Sequence, residues 1–258
     1  MADWIVLLPA FLLVLVRVLA FIAVLPIYGH RTIPNTFKVG ISIFLAWIMV
    51  FTIDNPIIAI DTTYFFLIIK EALVGLMVGL IATIMLYAVQ TAGGFIDMNM
   101  GFLIANVVDP QTGAQSPLIG SYLYTFTILF LLATNSHHLL IDGVYHSYQF
   151  IPIDQVFLPF GQENVVLFIA RSFAYMFMFA FQMAIPIVGS LFLVDVALGM
   201  VSRSVPQMNV FVVGMPLKIL VGLLLLSVYL GVFFMLVRGL MNEITIVMRT
   251  LMQLLGGV

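Results

Sequence analysis

Residues Tyr64–Val89 read YFFLIIKEALVGLMVGLIATIMLYAV, and this stretch decides the fold class. Lys70 and Glu71 are its only charged residues. About twenty predominantly apolar residues are needed to cross the roughly 30 Å hydrocarbon core of a bilayer as a helix. The stretch is therefore predicted to be a membrane-spanning α-helix.

The remainder of the 258-residue chain has the same character. It is 64% hydrophobic and 8% charged, with a mean hydropathy of +1.23, whereas soluble domains are about 45–50% apolar and about 25% charged. We predict one polytopic all-α membrane domain over residues 1–258, with about six kinked hydrophobic segments. The other five segments are Trp4–Tyr28, Val39–Ile60, Leu118–Thr134, Val165–Val188 and Leu217–Met241.

Composition also excludes several classes of function. The net charge is -2, from 9 basic and 11 acidic residues, and there is no basic tract that could follow a phosphate backbone, so nucleic acid is not an expected partner. The chain has no cysteine, which excludes disulfides, thiolate nucleophiles and cysteine metal sites.

The strongest hint of a metal site is weak. His138, Asp142 and His146 are spaced i, i+4 and i+8 and would share one helix face. Gly143 weakens that helix, and hydrogen bonding at the end of a connector is the alternative interpretation. Because no catalytic sequence motif is present either, we predict no enzyme activity, no metal and no cofactor.

Charged residues inside apolar segments need a partner, water or a protein interior. Arg17 lies halfway along the first segment and indicates a buried ion pair or a subunit contact; the alternative is a segment kinked at Pro9, with Arg17 reaching an interface. Glu71 is expected to pair with Arg17 or Arg171. Lys70 is expected on another helix face, without a local pair, and to extend toward an interface. The residues predicted as buried charges or subunit contacts are Arg17, Glu71, Arg171, Asp195, Arg203 and Lys218.

Glycines predict where helices approach closely. Gly75 and Gly79 form a GxxxG pattern, which favours tight helix packing over a specific dimer face. The stretch Gly93–Asn106 is expected to be an interfacial or broken helix, because it contains three glycines, Asp97 and Asn99. The glycines predicted to serve helix packing are Gly75, Gly79, Gly93, Gly94 and Gly101.

Several motifs follow one another along nearly the whole chain, and together they resemble the FliR family of the bacterial flagellar type III export gate and its virulence-system counterparts. The most specific is Pro206-Gln207-Met208-Asn209-Val210-Phe211, followed by Gly214-Met215-Pro216-Leu217-Lys218. The others, in chain order, are Arg17 and Pro26, Gly29 to Pro34, Lys70 to Gly79, Ala92 to Gly101, Asp109-Pro110 with Gly113, His137-His138, Ser147, Pro152, Pro186, Asp195, Gly199 and Arg203. Asn135-Ser136 departs from the family pattern, which has glycine there.

The resemblance implies an architecture, partners and a location. A FliP-like part, residues 1–195, would be fused to a FliQ-like helical hairpin, residues 196–258. The implied partners are FliP-like and FliQ-like subunits of a helical export-gate complex, an FlhB-like subunit, exported unfolded proteins and membrane lipid. The implied location is the bacterial inner membrane at the flagellar basal body.

The resemblance also implies a pore plug, which would be part of a channel for unfolded flagellar proteins. The corresponding loop consists of Asp109, Pro110, Gln111, Thr112, Gly113, Ala114, Gln115, Ser116 and Pro117. A self-contained small-molecule transporter is the alternative function, and it should show repeated halves with matched broken helices and a polar cluster at mid-membrane.

Overall fold

The computed structural model describes residues 2–29, 33–53, 58, 60–102, 117–159, 163–205, 207 and 209–257. The residues described there form eight α-helices and no strands. The helices are α1 (Ala2–Val24), α2 (Pro26–Gly29), α3 (Asn35–Val50), α4 (Thr62–Met100), α5 (Leu118–Ala133), α6 (His137–Phe150), α7 (Glu163–Ser204) and α8 (Val210–Gly256). The all-α membrane fold expected from the sequence is confirmed.

The chain divides into two compact units. The first consists of Met1–Met85, Thr134–Phe173 and Asn242–Val258, and the second of Leu86–Ala133 and Ala174–Met241. Each of the long helices α4, α7 and α8 therefore contributes one part to each unit.

In the first unit, α3 packs on α1 through one face. The buried residues of α3 are Ser42, Ala46, Met49 and Val50, a spacing that places them on one stripe of a 3.6-residue helix. Phe11 of α1 meets Trp47 edge to face, with ring centroids 5.9 Å apart. Apolar burial and aromatic contact together hold the two helices.

Pro26 explains the break between α1 and α2. Proline has no backbone N–H and does not continue a helix from its N-terminal side without distortion, and α1 ends at Val24. The Thr83 hydroxyl of α4 lies 2.7 Å from the Gly79 carbonyl of its own helix and 3.1 Å from the Val24 carbonyl. Its single proton is shared between these two acceptors, so α4 contacts the carbonyl at the break.

Helix α4 begins at a capping residue and is longer than expected. The Asp61 carboxylate accepts hydrogen bonds from the Thr63 hydroxyl and from the Thr63 and Tyr64 amides, and these bonds, led by that from the hydroxyl, lower the pKa of Asp61 below its usual value. The helix then continues to Met100. The prediction that the helix is broken over Gly93–Asn106 was therefore wrong as far as Met100, and the interfacial alternative stays a prediction.

The helices differ from the predicted segments in length. In the described part of the chain, four helices are long and apolar enough to cross a membrane, or five if α5 and α6 are counted as one broken span, against about six predicted. Helices α4, α7 and α8 have 39, 42 and 47 residues, or about 59, 63 and 71 Å at 1.5 Å per residue. Each is about twice as long as the hydrocarbon core is thick.

The break after α5 contains an unusual backbone conformation. Asn135 has a φ of 56°, which lies in the left-handed region that glycine adopts most readily and that asparagine tolerates better than most residues. The resemblance implies glycine at Asn135-Ser136, which stays a prediction, and the backbone of Asn135 is one that glycine would adopt without strain.

Candidate functional site

The first unit contains an ion cluster, which we define as Arg17, Lys70 and Glu71. Arg17 and Glu71 are 0% exposed and Lys70 is 3% exposed. Arg17 binds Glu71 in the bidentate manner, through Nε to Oε2 and through Nη2 to Oε1 at 2.8 Å. Paired hydrogen bonds of this kind are among the strongest in proteins. Of the two arginines predicted as partners of Glu71, Arg17 is the one that binds it, whereas Arg171 is exposed.

Lys70 also binds Glu71, so the prediction that it has no local pair was wrong. Its ammonium group donates to Glu71 Oε1, and also to the carbonyls of Pro152 at 2.9 Å and Ile153 at 3.0 Å. Adjacent residues point to different helix faces, but the four-carbon stem of lysine lets its charge return to the neighbour. The Lys70 ammonium group thus ends inside the first unit and not at the surface of the chain.

The ion cluster has two cations and one anion, and the end of α6 offers the cations further hydrogen-bond acceptors. Arg17 Nη1 donates to Ser147 Oγ at 2.9 Å, and Nη2 to the Ile151 carbonyl at 3.0 Å. Its guanidinium also lies 3.8 Å from the centre of the Tyr148 ring. Carbonyls at a helix C-terminus carry partial negative charge, and an aromatic face attracts cations. The cluster thereby fastens α1 and α4 to the end of α6.

Helix α4 approaches α1 closely beside this cluster. A Cβ on Gly75 would overlap the Arg17 carbonyl, and one on Gly79 would lie 3.1 Å from the Phe21 carbonyl. Small residues allow helix backbones to come this close. The GxxxG pattern therefore positions Arg17 above Glu71, one helical turn from Gly75.

A second polar contact lies in the second unit and was missed from the sequence. Asp97 is 0% exposed, and its carboxylate accepts hydrogen bonds from the Ile119 amide at 3.0 Å and the Gly120 amide at 3.3 Å. A Cβ on Gly93 would overlap the Gly120 backbone. Asp97 therefore caps the N-terminus of α5 from α4, a contact that sequence spacing does not reveal because the two elements are far apart in the chain.

The other predicted glycines and charges lie at more open positions. A Cβ on Gly94 would lie 3.6 Å from the Pro117 side chain, which is an ordinary contact. Gly101 has a φ of 90° at the end of α4. Lys218 donates to Asp195 at 2.8 Å in a partly exposed ion pair. Arg203 is exposed.

Of the predicted plug loop, Asp109 to Ser116 lie outside the described residues, and Pro117 immediately precedes α5.

His138, Asp142 and His146, the weak metal candidate, lie at exposed or half-exposed positions of α6. His146 Nε2 lies 3.6 Å from Asp142 Oδ2, and both side chains are about half exposed. Among the described residues, no group of three or more histidine or acidic side chains is arranged to hold a metal ion.

Helices α7 and α8 expose much of their apolar surface. In their most apolar stretches 22% and 17% of residues are buried, against 67% in α4. A polytopic α-helical membrane protein with charges fastening its interior and apolar helices open on the outside is suited to packing in a larger membrane assembly.

Comparison with known proteins identifies the family. The model of the family described as bacterial export proteins, family 1, matches residues 8–244, and the chain belongs to that family. It is 55% identical over 249 residues to the flagellar biosynthetic protein FliR of Bacillus subtilis (strain 168), covering 96% of each chain. The predicted resemblance to the FliR family is confirmed.

More distant relatives come from flagellar and virulence systems. The flagellar biosynthetic protein FliR of Escherichia coli (strain K12) is 29% identical over 235 residues, covering 89% of this chain and 87% of its own. The Yop proteins translocation protein T of Yersinia pestis is 30% identical over 220 residues, covering 84% of each. The chain is a membrane component of a type III protein-export apparatus.

Proposed function

We propose that this chain is a structural subunit of the flagellar export gate, which forms and plugs the channel for unfolded flagellar proteins in the bacterial inner membrane at the basal body. The observation that carries the proposal is the low burial of α7 and α8, which are as apolar as α4. Apolar surface left open by the chain itself must be covered by lipid or by other subunits.

Open glycines on α7 and α8 favour other subunits. A Cβ at Gly189 or Gly199 of α7, or at Gly231 or Gly239 of α8, would meet nothing within 4 Å. A helical glycine costs about 1 kcal/mol relative to alanine, and in membranes such positions serve close helix–helix approach. We propose that FliP-like, FliQ-like and FlhB-like subunits supply the helices that pack there.

Exposed charges also favour the proposal that other subunits cover this surface. Arg171, Asp195 and Arg203 are exposed, and Lys218 is partly exposed. Charges facing hydrocarbon cost at least about 2.5 kcal/mol each near the bilayer centre. We propose that these four residues form subunit contacts, whereas Arg17 and Glu71 serve the interior of the chain.

The proposed FliQ-like hairpin, residues 196–258, contains the end of α7 and the whole of α8. The two helices are joined near their turn by the Lys218–Asp195 ion pair. We propose that this part takes a position equivalent to a FliQ-like subunit, and that residues 1–195 take that of a FliP-like subunit.

The proposed plug is the loop from Asp109 to Pro117. It is rich in small and polar residues, including Thr112, Gly113 and Ser116, so it carries little apolar surface that would hold it in one place. Such a segment is suited to closing an aqueous path and to being displaced by an exported chain.

Two experiments test the proposal. When a tagged form of the chain is purified in mild detergent from flagellated cells, FliP-like and FliQ-like subunits should purify with it. Purification of the chain alone from cells that make these subunits would contradict the proposed gate.

Deleting Asp109–Pro117 should leave that co-purification intact and make the membrane permeable to small solutes. An intact permeability barrier in the assembled deletion variant would contradict the plug.

A further inference from the structure

Asp97 contacts two parts of the chain that are separate in sequence. Its carboxylate accepts the amides of Ile119 and Gly120 at the start of α5. Its own carbonyl accepts the amides of Gly101 at 3.1 Å and Phe102 at 3.0 Å, where α4 ends. The backbone bonds would form with any residue at this position, and they place Asp97 in the last turn of α4. The carboxylate alone links this turn to the start of α5.

The start of α5 needs this outside partner. The first amides of a helix have no acceptor within the helix, and a Ser, Thr, Asp or Asn at the preceding position usually supplies one. Pro117 precedes α5, and its side chain has no oxygen. Asp97 takes over the role of a capping residue from another helix, and its negative charge is favourable at the positive end of the α5 dipole.

The surrounding contacts make Asp97 difficult to replace. It is 0% exposed, and none of the ion pairs among the described residues includes it. One turn before it, Gly93 lies against the Gly120 backbone, with no room for a Cβ. The α5 amides are thus held within reach of the carboxylate, and removing it would leave those amides buried without an acceptor.

We propose that Asp97 is a positioning residue that fastens the end of α4 to the start of α5 and so fixes the base from which the plug loop extends. The fastening is a property of the described residues 97–102 and 117–120. Only its consequence for permeability rests on the proposed function.

The experiment measures the fastening and the permeability separately. Because the chain has no cysteine, one cysteine each at Met98 and Leu129, which are 63% and 56% exposed, accepts a pair of spin labels in the assembled complex. Electron paramagnetic resonance then gives the distance distribution between α4 and α5 with Asp97, with Asp97→Ala and with Asp97→Asn.

We expect Asp97→Ala to broaden or shift this distribution by several ångströms. Asp97→Asn keeps one acceptor oxygen without the charge, so we expect a smaller change, and this milder variant also serves if the alanine variant does not assemble. Asn99→Ala is the matched control, because the Asn99 side chain bonds only the Phe95 carbonyl of its own helix among the described contacts. It should leave the distribution unchanged.

The outcomes distinguish the two proposals. A distribution unchanged in both Asp97 variants would overturn the fastening. A changed distribution together with increased permeability to small solutes supports both the fastening and the plug. A changed distribution with an intact permeability barrier supports the fastening and counts against the plug at this base.

Discussion

The most apolar stretches of helices α4 and α8 have similar composition and different surroundings. The two stretches have mean hydropathies of 2.4 and 2.7, yet 67% of the first is buried and 17% of the second. Gly75 of α4 lies against the backbone of α1, whereas a Cβ at Gly231 or Gly239 of α8 would meet nothing within 4 Å. Hydropathy thus predicts that both helices avoid water, but not what covers them.

The difference follows from what accompanies the apolar residues. Helix α4 contains Lys70, Glu71 and Asp97, and each of these finds its hydrogen-bond partners within its own unit. Buried polar groups specify a partner because an unpaired one is costly. The stretch of α8 from Gly222 to Val237 has no charged residue, so its outer face can accept helices from other subunits.

The largest expected effect comes from breaking the ion cluster. Glu71→Ala leaves Arg17 and Lys70 buried together without an anion, and removing one partner of a buried ion pair typically costs about 3–5 kcal/mol. We expect a large fall in the denaturation midpoint of the detergent-solubilised protein, with low yield.

Asp195→Ala is the matched control for that variant. It also removes the acid of an ion pair with a lysine, but the Asp195 side chain is 44% exposed. Exposed pairs contribute about 0–1 kcal/mol. Equal losses of stability in the two variants would mean that burial does not set the strength of the ion cluster.

A smaller effect is expected from filling the contact between α1 and α4. Gly75→Ala and Gly40→Ala both gain about 1 kcal/mol of helix propensity. A Cβ meets nothing at Gly40 but overlaps the Arg17 carbonyl at Gly75, and overpacking costs about 1–3 kcal/mol. Thermal denaturation should therefore show Gly40→Ala equal to or above the parent protein and Gly75→Ala below it. The reverse order would contradict the close approach.

The smallest loss of stability in the chain itself is expected at α8. A Cβ at Gly231 would meet nothing within 4 Å, so Gly231→Leu should not destabilise the chain and should gain up to about 1 kcal/mol of helix propensity, as Gly40→Ala does. If partner helices pack there, the same variant should lose FliP-like or FliQ-like subunits during purification. Full retention of both would mean that this face is not a subunit contact.

The sequence predicts the helices and the candidate partners of a buried charge better than it predicts which of these partners is in contact. The all-α membrane fold follows from composition, and the cost of a charge in lipid narrowed the partner of Glu71 to two arginines. The choice of Arg17 depends on the approach of α1 to Gly75, and the local pair with Lys70 depends on a side-chain conformation. Helix periodicity contains neither.

Asp97 shows a second limit of the sequence. Asp97 lies between Gly94 and Gly101, and all three residues have low helix propensity. Helix propensity does not include contacts with other helices, so the sequence indicates a break here. The gain comes from the distant amides of α5, and it outweighs the local cost. Helix α4 continues through Asp97 to Met100.

Val228 offers the most direct test of the central claim, that the outer surface of α8 is built for other subunits. It is 85% exposed in the chain, and a spin label on a cysteine there reports collisions with lipid-soluble oxygen. We predict low oxygen accessibility at this site in the assembled export complex in lipid, and high accessibility in the chain reconstituted alone. High accessibility in the assembled complex would show that lipid covers this surface and would contradict the account.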